Sequence, residues 1–287
     1  MKNLLSEESK LERMTRRWWF FVLFILIQFI TPPYASKGYK FPEEWSDVLF
    51  HVLSHGIIFS LSKWYPAINV IFKTIPMVLI FLIIIFQNKV RRLLNIYVGI
   101  TYILFAFGQS ISVTEKYGVA VCTLNLIMFL VVAAFWAWEA VVVKNNFTLA
   151  KQSIWKYWVV PLALLAFWYP LSPRTGKPDF NFIYLFTNGA GLAFCTMTPL
   201  YLALLTLYYP KVNMAVFRVT SLVGLIIGLY NMATNFLIKP TTHWWNGILH
   251  IPLLSISMYG LILSLRQEKQ GGVKTLPYKT GFLLSQE

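Results

Sequence analysis

The feature that most restricts this chain is a set of long apolar runs without a single charge. Residues 18–31, 74–87, 117–138, 183–209 and 244–265 contain no Lys, Arg, Asp or Glu. A helix crossing the hydrocarbon of a bilayer needs roughly 20 mainly apolar residues, and these runs supply that alone or with their flanks. Only 13% of the residues are charged, against about 25% in soluble globular proteins. Too little polar surface is left to cover a water-facing shell. The expected fold class is therefore all-α, a polytopic membrane helix bundle of about eight transmembrane helices in one domain over 18–265. The spans fall at about 18–33, 66–88, 93–113, 117–141, 156–171, 182–208, 217–237 and 244–265.

A net charge of +14 would point to nucleic acid in a soluble protein. Here the bases lie between apolar runs, so no nucleic-acid partner is expected; they set topology and meet anionic membrane lipids. With the N-terminus inside, 17 bases fall in cytoplasmic segments and 7 in outer ones, with Lys73 left near a helix end, where it is expected to snorkel. That asymmetry follows the positive-inside rule. It places a basic segment, 1–17, and a short flexible tail, 266–287, both in the cytoplasm of a cell-membrane protein. The first run lacks a small-residue cleavage site, so it is expected to remain as a helix. Segment 46–64 is apolar enough to cross, but a ninth span would invert every later loop. It is read as an interfacial or re-entrant helix on the outer face, ended by Trp64-Tyr65-Pro66. The sequon Asn146-Phe147-Thr148 falls on the cytoplasmic side and carries no meaning there. Weak correspondences, such as Arg17-Trp18-Trp19 with Lys156-Tyr157-Trp158, would give a parallel repeat of four helices per half.

Polar groups inside a bilayer are costly, so their positions carry information. Helix centres are nearly free of ionisable residues, against the habit of ion-coupled transporters. The amides and imidazoles gather toward the outer side: Gln109 late in the third span, Thr187 and Asn188 early in the sixth, Asn231 and Asn235 closing the seventh, His243, Asn246 and His250 opening the eighth. At 1.5 Å per residue, Thr187, Asn231 and His250 would lie roughly 6–11 Å below the outer boundary. His51 and His55 sit one turn apart on the interfacial segment. The alternative is that these amides only cap and pair helices.

The segment Leu185-Phe186-Thr187-Asn188, then Pro240, Trp245-Asn246 and His250-Ile251-Pro252, resembles the androgen-induced membrane hydrolases, a family that cleaves fatty-acid esters. The resemblance spans residues 185–252. It implies Thr187 as nucleophile and His250 as its base, since a threonine hydroxyl needs an adjacent base to attack. Asn188, Asn231 or Asn246 would then stabilise an oxyanion, with Asn235 and Gln109 also facing the substrate. The chain departs from that family in its extra helices and in carrying His243, seven residues upstream, as the preceding histidine. Two other readings stand beside it. His51 and His55, with His243 or His250, could hold a metal ion, or imidazoles on separate helices a haem. Or the chain carries a lipid or hydrophobic small molecule, as a transporter or as a subunit of a larger assembly.

Overall fold

The computed structural model describes residues 10–148, 153–172, 175–238 and 240–266. Lys2, Lys151, Arg174, Lys239 and the tail beyond Arg266, all used to orient the chain, lie outside the described residues. Twelve α-helices are found among those described: α1 (Lys10–Arg16), α2 (Trp18–Ile30), α3 (Trp45–Ser54), α4 (Ile57–Trp64), α5 (Ala67–Phe86), α6 (Arg91–Ser110), α7 (Thr123–Val142), α8 (Val159–Trp168), α9 (Tyr184–Thr187), α10 (Phe194–Tyr208), α11 (Met214–Met232) and α12 (Pro240–Leu265). The fold is all-α.

Among the described residues five helices are long and apolar enough to cross a bilayer: α5, α6, α7, α11 with its π-helical continuation to Ile238, and α12. The sixth expected span is broken. Segment 184–192 and helix α10 meet at 100°. The break is written locally. Asn188 leaves helical geometry at φ −85°, ψ 164°, and its Oδ1 accepts from Ala190 N, starting a 3₁₀ turn over Gly189–Leu192. At Gly191 a Cβ would come 2.8 Å from the carbonyl of Phe72, so only glycine lets the turn lie against α5. Two expected spans are shorter than drawn, at 13 residues for α2 and 15 for Ile154–Trp168. Pro32-Pro33 stops the first and Tyr169-Pro170 the second, because proline lacks the donor and disfavours helix before it.

The helix ends sort into two sets. At one end α1, the start of α6, the end of α7, the start of α11 and the end of α12 are tied together. Lys144 Nζ meets Glu12 Oε2 at 2.5 Å, and the Arg218 guanidinium donates to Glu12 O, Thr15 Oγ1 and Ser264 O. Glu139, fully buried, accepts from Asn145 N (2.6 Å), Asn213 Nδ2 (2.7 Å) and Asn95 Nδ2 (3.3 Å). Asn146 of the sequon is bound to Asn88 and Thr148 here. Arg91, Arg92, Lys144, Lys156 and Arg218 make this the basic end.

At the opposite end stands a small antiparallel sheet in the order β1 (Tyr34–Ala35), β3 (Gly118–Val121), β2 (Ile111–Thr114). The expected spans 93–113 and 117–141 each included residues of this hairpin. Ile111-Ser-Val-Thr and Gly-Val-Ala-Val favour extended chain through alternation and β-branching, and Gly118, at φ 66°, makes the turn. Segment 46–64 forms α3 and α4, at 10 and 8 residues each too short to span, broken where Gly56 abuts Gly108 O.

Between the ends lies an aromatic core that includes Tyr102, Phe105, Phe129, Trp136, Phe194 and Tyr201, with Phe129 and Phe194 stacked at 4.2 Å. Helices α11 and α12 approach closely through Gly224, Gly228 and Gly260. A Cβ at Gly224 would fall 2.3 Å from Ser257 Oγ, the small-residue contact by which helices pair in lipid. Lys73 does not snorkel. It is fully buried, its ammonium donating to Phe167 O and lying 4.2 Å from the Phe167 ring centroid. The face of α5 that carries it packs on α9 and the 3₁₀ turn, so a carbonyl and an aromatic face replace water.

Candidate functional site

A polar cluster lies where the end of α8, the 3₁₀ turn, the end of α11 and the start of α12 meet. Its centre is Tyr169, which the sequence did not single out. Tyr169 caps α8 in the left-handed region, at φ 51°, a conformation costly for a bulky residue and kept only when neighbours enforce it. Asn188 Nδ2 does so by donating to Trp168 O (2.8 Å) and Tyr169 O (3.0 Å). Trp245 Nε1 clamps the next carbonyl, Pro170 O, at 2.9 Å.

From Tyr169 a chain of amides runs along the helix ends. The phenol donates to Asn246 Oδ1, Asn246 Nδ2 donates to Asn235 Oδ1 (2.9 Å), and Asn235 Nδ2 to Asn231 O (2.8 Å). Asn231 Nδ2 bonds Ile227 O and reaches Cys195 Sγ at 3.6 Å. His250 stands one turn beyond Asn246, 6% exposed, its ring edge-on to Tyr169 at 6.3 Å. His250 Nδ1 lies 2.7 Å from Asn246 O. A carbonyl only accepts, so Nδ1 carries the proton and Nε2 presents its lone pair. Among the described residues Nε2 has no hydrogen-bond partner.

The cluster thus unites five of the residues singled out from sequence: Asn188, Asn231, Asn235, Asn246 and His250. Thr187 is exposed on α9, beside Asn188, and its hydroxyl donates to Ile183 O at 3.0 Å; no hydrogen bond joins it to His250. Gln109 has a structural task, Oε1 accepting from Phe194 N (2.8 Å) at the head of α10.

The other histidines sit apart. His51 and His55 stack on α3 at 5.9 Å, and His243 packs edge-on against Phe50 at 6.4 Å. His51 and His55 share a cleft of about 380 Å³ with Glu115 and Lys116. Beside it Asp47 accepts from Lys116 Nζ and Tyr117 Oη, each at 2.6 Å. The hydrogen bond from Lys116, then that from Tyr117, holds the Asp47 carboxyl down to about 2. Among the described residues no three His, Cys, Asp or Glu side chains gather closely enough to hold a metal ion. Comparison of the chain with protein families, curated proteins and solved structures found no match.

Proposed function

We propose that this chain is a polytopic membrane protein, with both termini cytoplasmic, whose polar cluster hydrolyses a lipid-like ester. His250 is the general base and Thr187 the nucleophile. The observation that carries this reading is the state of His250: buried, oriented through Nδ1 by a carbonyl, and with no hydrogen bond at Nε2 among the described residues. An imidazole so held is poised to take a proton. The basic end, facing the cytoplasm, satisfies the charge rule and turns the cluster toward the outer leaflet.

In the proposed reaction a rotation about χ1 frees the Thr187 hydroxyl from Ile183 O. His250 Nε2 takes its proton as Oγ1 attacks the ester carbonyl. The alcohol leaves with that proton, and water then cleaves the acyl-threonine to release the acid. The second Nδ2 hydrogen of Asn246, whose first goes to Asn235 Oδ1, would stabilise the oxyanion, since both Nδ2 hydrogens of Asn188 are engaged by Trp168 O and Tyr169 O. Purified protein in lipid nanodiscs should hydrolyse a long-chain fatty-acid ester. Thr187→Ala and His250→Ala should each lower the rate by roughly 10²–10⁴, while Thr187→Ser keeps much of it. Wild-type rates in both alanine variants would overturn the assignment.

A further inference from the structure

A second site lies on the other flank of the bundle, at the end of α2. There Gln28, Phe29, Pro32, Tyr39, Phe41 and Trp45 enclose a groove of about 520 Å³, within the roughly 300–1,000 Å³ range of small-molecule sites. Its side-chain polar groups, the Trp45 indole N–H apart, are already engaged. Gln28 Nε2 donates to Phe24 O and reaches Met128 Sδ, Gln28 Oε1 accepts from Tyr230 Oη at 3.0 Å, and Tyr39 Oη donates to Pro33 O at 2.9 Å. What the groove offers a ligand is therefore carbon. Phe29 is 82% exposed and Phe41 67%.

The same hydrogen bonds fix the depth of the groove. Met128 lies five residues inside the start of α7, roughly 7 Å along its axis. Tyr230 lies eight residues short of Ile238, where α11 and its π-helical continuation end. Gln28 is thus held below the ends of both neighbouring helices. The 13 residues of α2 extend about 20 Å, against a hydrocarbon thickness of about 30 Å. The helix stops short, and the chain returns to the level of α7 only where β1 pairs with Ala120 and Val121. Between them the groove opens beside Gln28, below the start of α7, and its outer wall of Phe41, Pro42 and Trp45 is flanked in sequence by Lys40, Glu43 and Glu44. A peptide there would strand its backbone polar groups, and water would meet apolar walls.

We infer that this groove holds one hydrocarbon chain of a membrane lipid. The inference rests on the membrane reading proposed above and is independent of the ester chemistry. The test uses the full chain in nanodiscs of phosphatidylcholine doped with a phosphatidylcholine bearing a diazirine in one acyl chain. One sample is irradiated in the bilayer, a second after detergent extraction and gel filtration, and labelled residues are mapped by mass spectrometry. In the bilayer both the groove and the lipid-facing Phe81 of α5, 61% exposed, should be labelled. After extraction the groove should keep its label over Phe81 by roughly tenfold, a retention worth about 1.4 kcal/mol. Phe29→Ala with Trp45→Ala, both at exposed positions, should abolish that excess without unfolding the protein. Equal labelling of groove and Phe81 after extraction, or an excess unchanged in the double variant, overturns the groove. Absence of label on α5 in the bilayer overturns the membrane reading itself.

Discussion

Tyr169 shows how one residue organises a site. Its carbonyl is held by Asn188, its hydroxyl holds Asn246, and its ring edge meets His250. Tyr169→Phe keeps the ring but leaves Asn246 Oδ1 without its donor, a loss of about 1–3 kcal/mol when the orphaned acceptor is buried. The expected outcome is earlier thermal exposure of the half-buried Cys195 to a thiol-reactive dye, with slower ester hydrolysis. An unchanged transition and rate would show that the amide chain does not support His250. The amides and the imidazole of this cluster were legible because polar residues in apolar runs stand out. Tyr169 was not, being one of 15 tyrosines, distinguished only by a left-handed backbone that a sequence does not display. Gln109 was legible as polar but not as a cap, since its partner is 85 residues away.

At the scale of elements, the length of the charge-free apolar runs located helices and misjudged their ends. The hairpin was absorbed into two expected spans because its strands are as apolar as the helices they join. The kink at Asn188 was hidden because Gly189 and Gly191 are ordinary residues until their contacts with α5 are known. The hairpin is fastened to α3 through Asp47, Lys116 and Tyr117, and that joint responds to acid. A carboxyl whose folded pKa is depressed stabilises the joint above the ordinary carboxylate range. That contribution fades as pH falls from about 4, the unperturbed value, toward the folded value of about 2. Peptic cleavage within 114–118 should therefore rise over that window, and in Asp47→Asn it should be present already at its upper edge. Identical profiles for the two proteins would exclude Asp47 as the fastener.

For the whole molecule, the basic end is the counterpart of the candidate site, tied together by buried charges. Glu139 receives three N–H groups from three separate stretches of chain, an arrangement suited to an acceptor with no proton of its own. Glu139→Gln keeps one acceptor oxygen but turns an N–H₂ toward at least one of those donors, such as Asn213 Nδ2, and should lower the transition measured through Cys122 and Cys195 by the equivalent of about 1–3 kcal/mol. A transition no lower than wild type would mean that the three donors find other partners.

Arg218 carries a consequence of another kind. One guanidinium holds Glu12 and Thr15 near the beginning of the chain and Ser264 near the end of the last helix. A ribosome delivers these groups in order, so α1 exists long before its partners. Until α12 has been made, the side chain can hold Glu12 and Thr15 but lacks Ser264 O, one of the three acceptors it spans. The clasp therefore closes in two stages, α1 onto α11 first and α12 onto both afterwards, and a chain truncated before Ser264 would lose only the second.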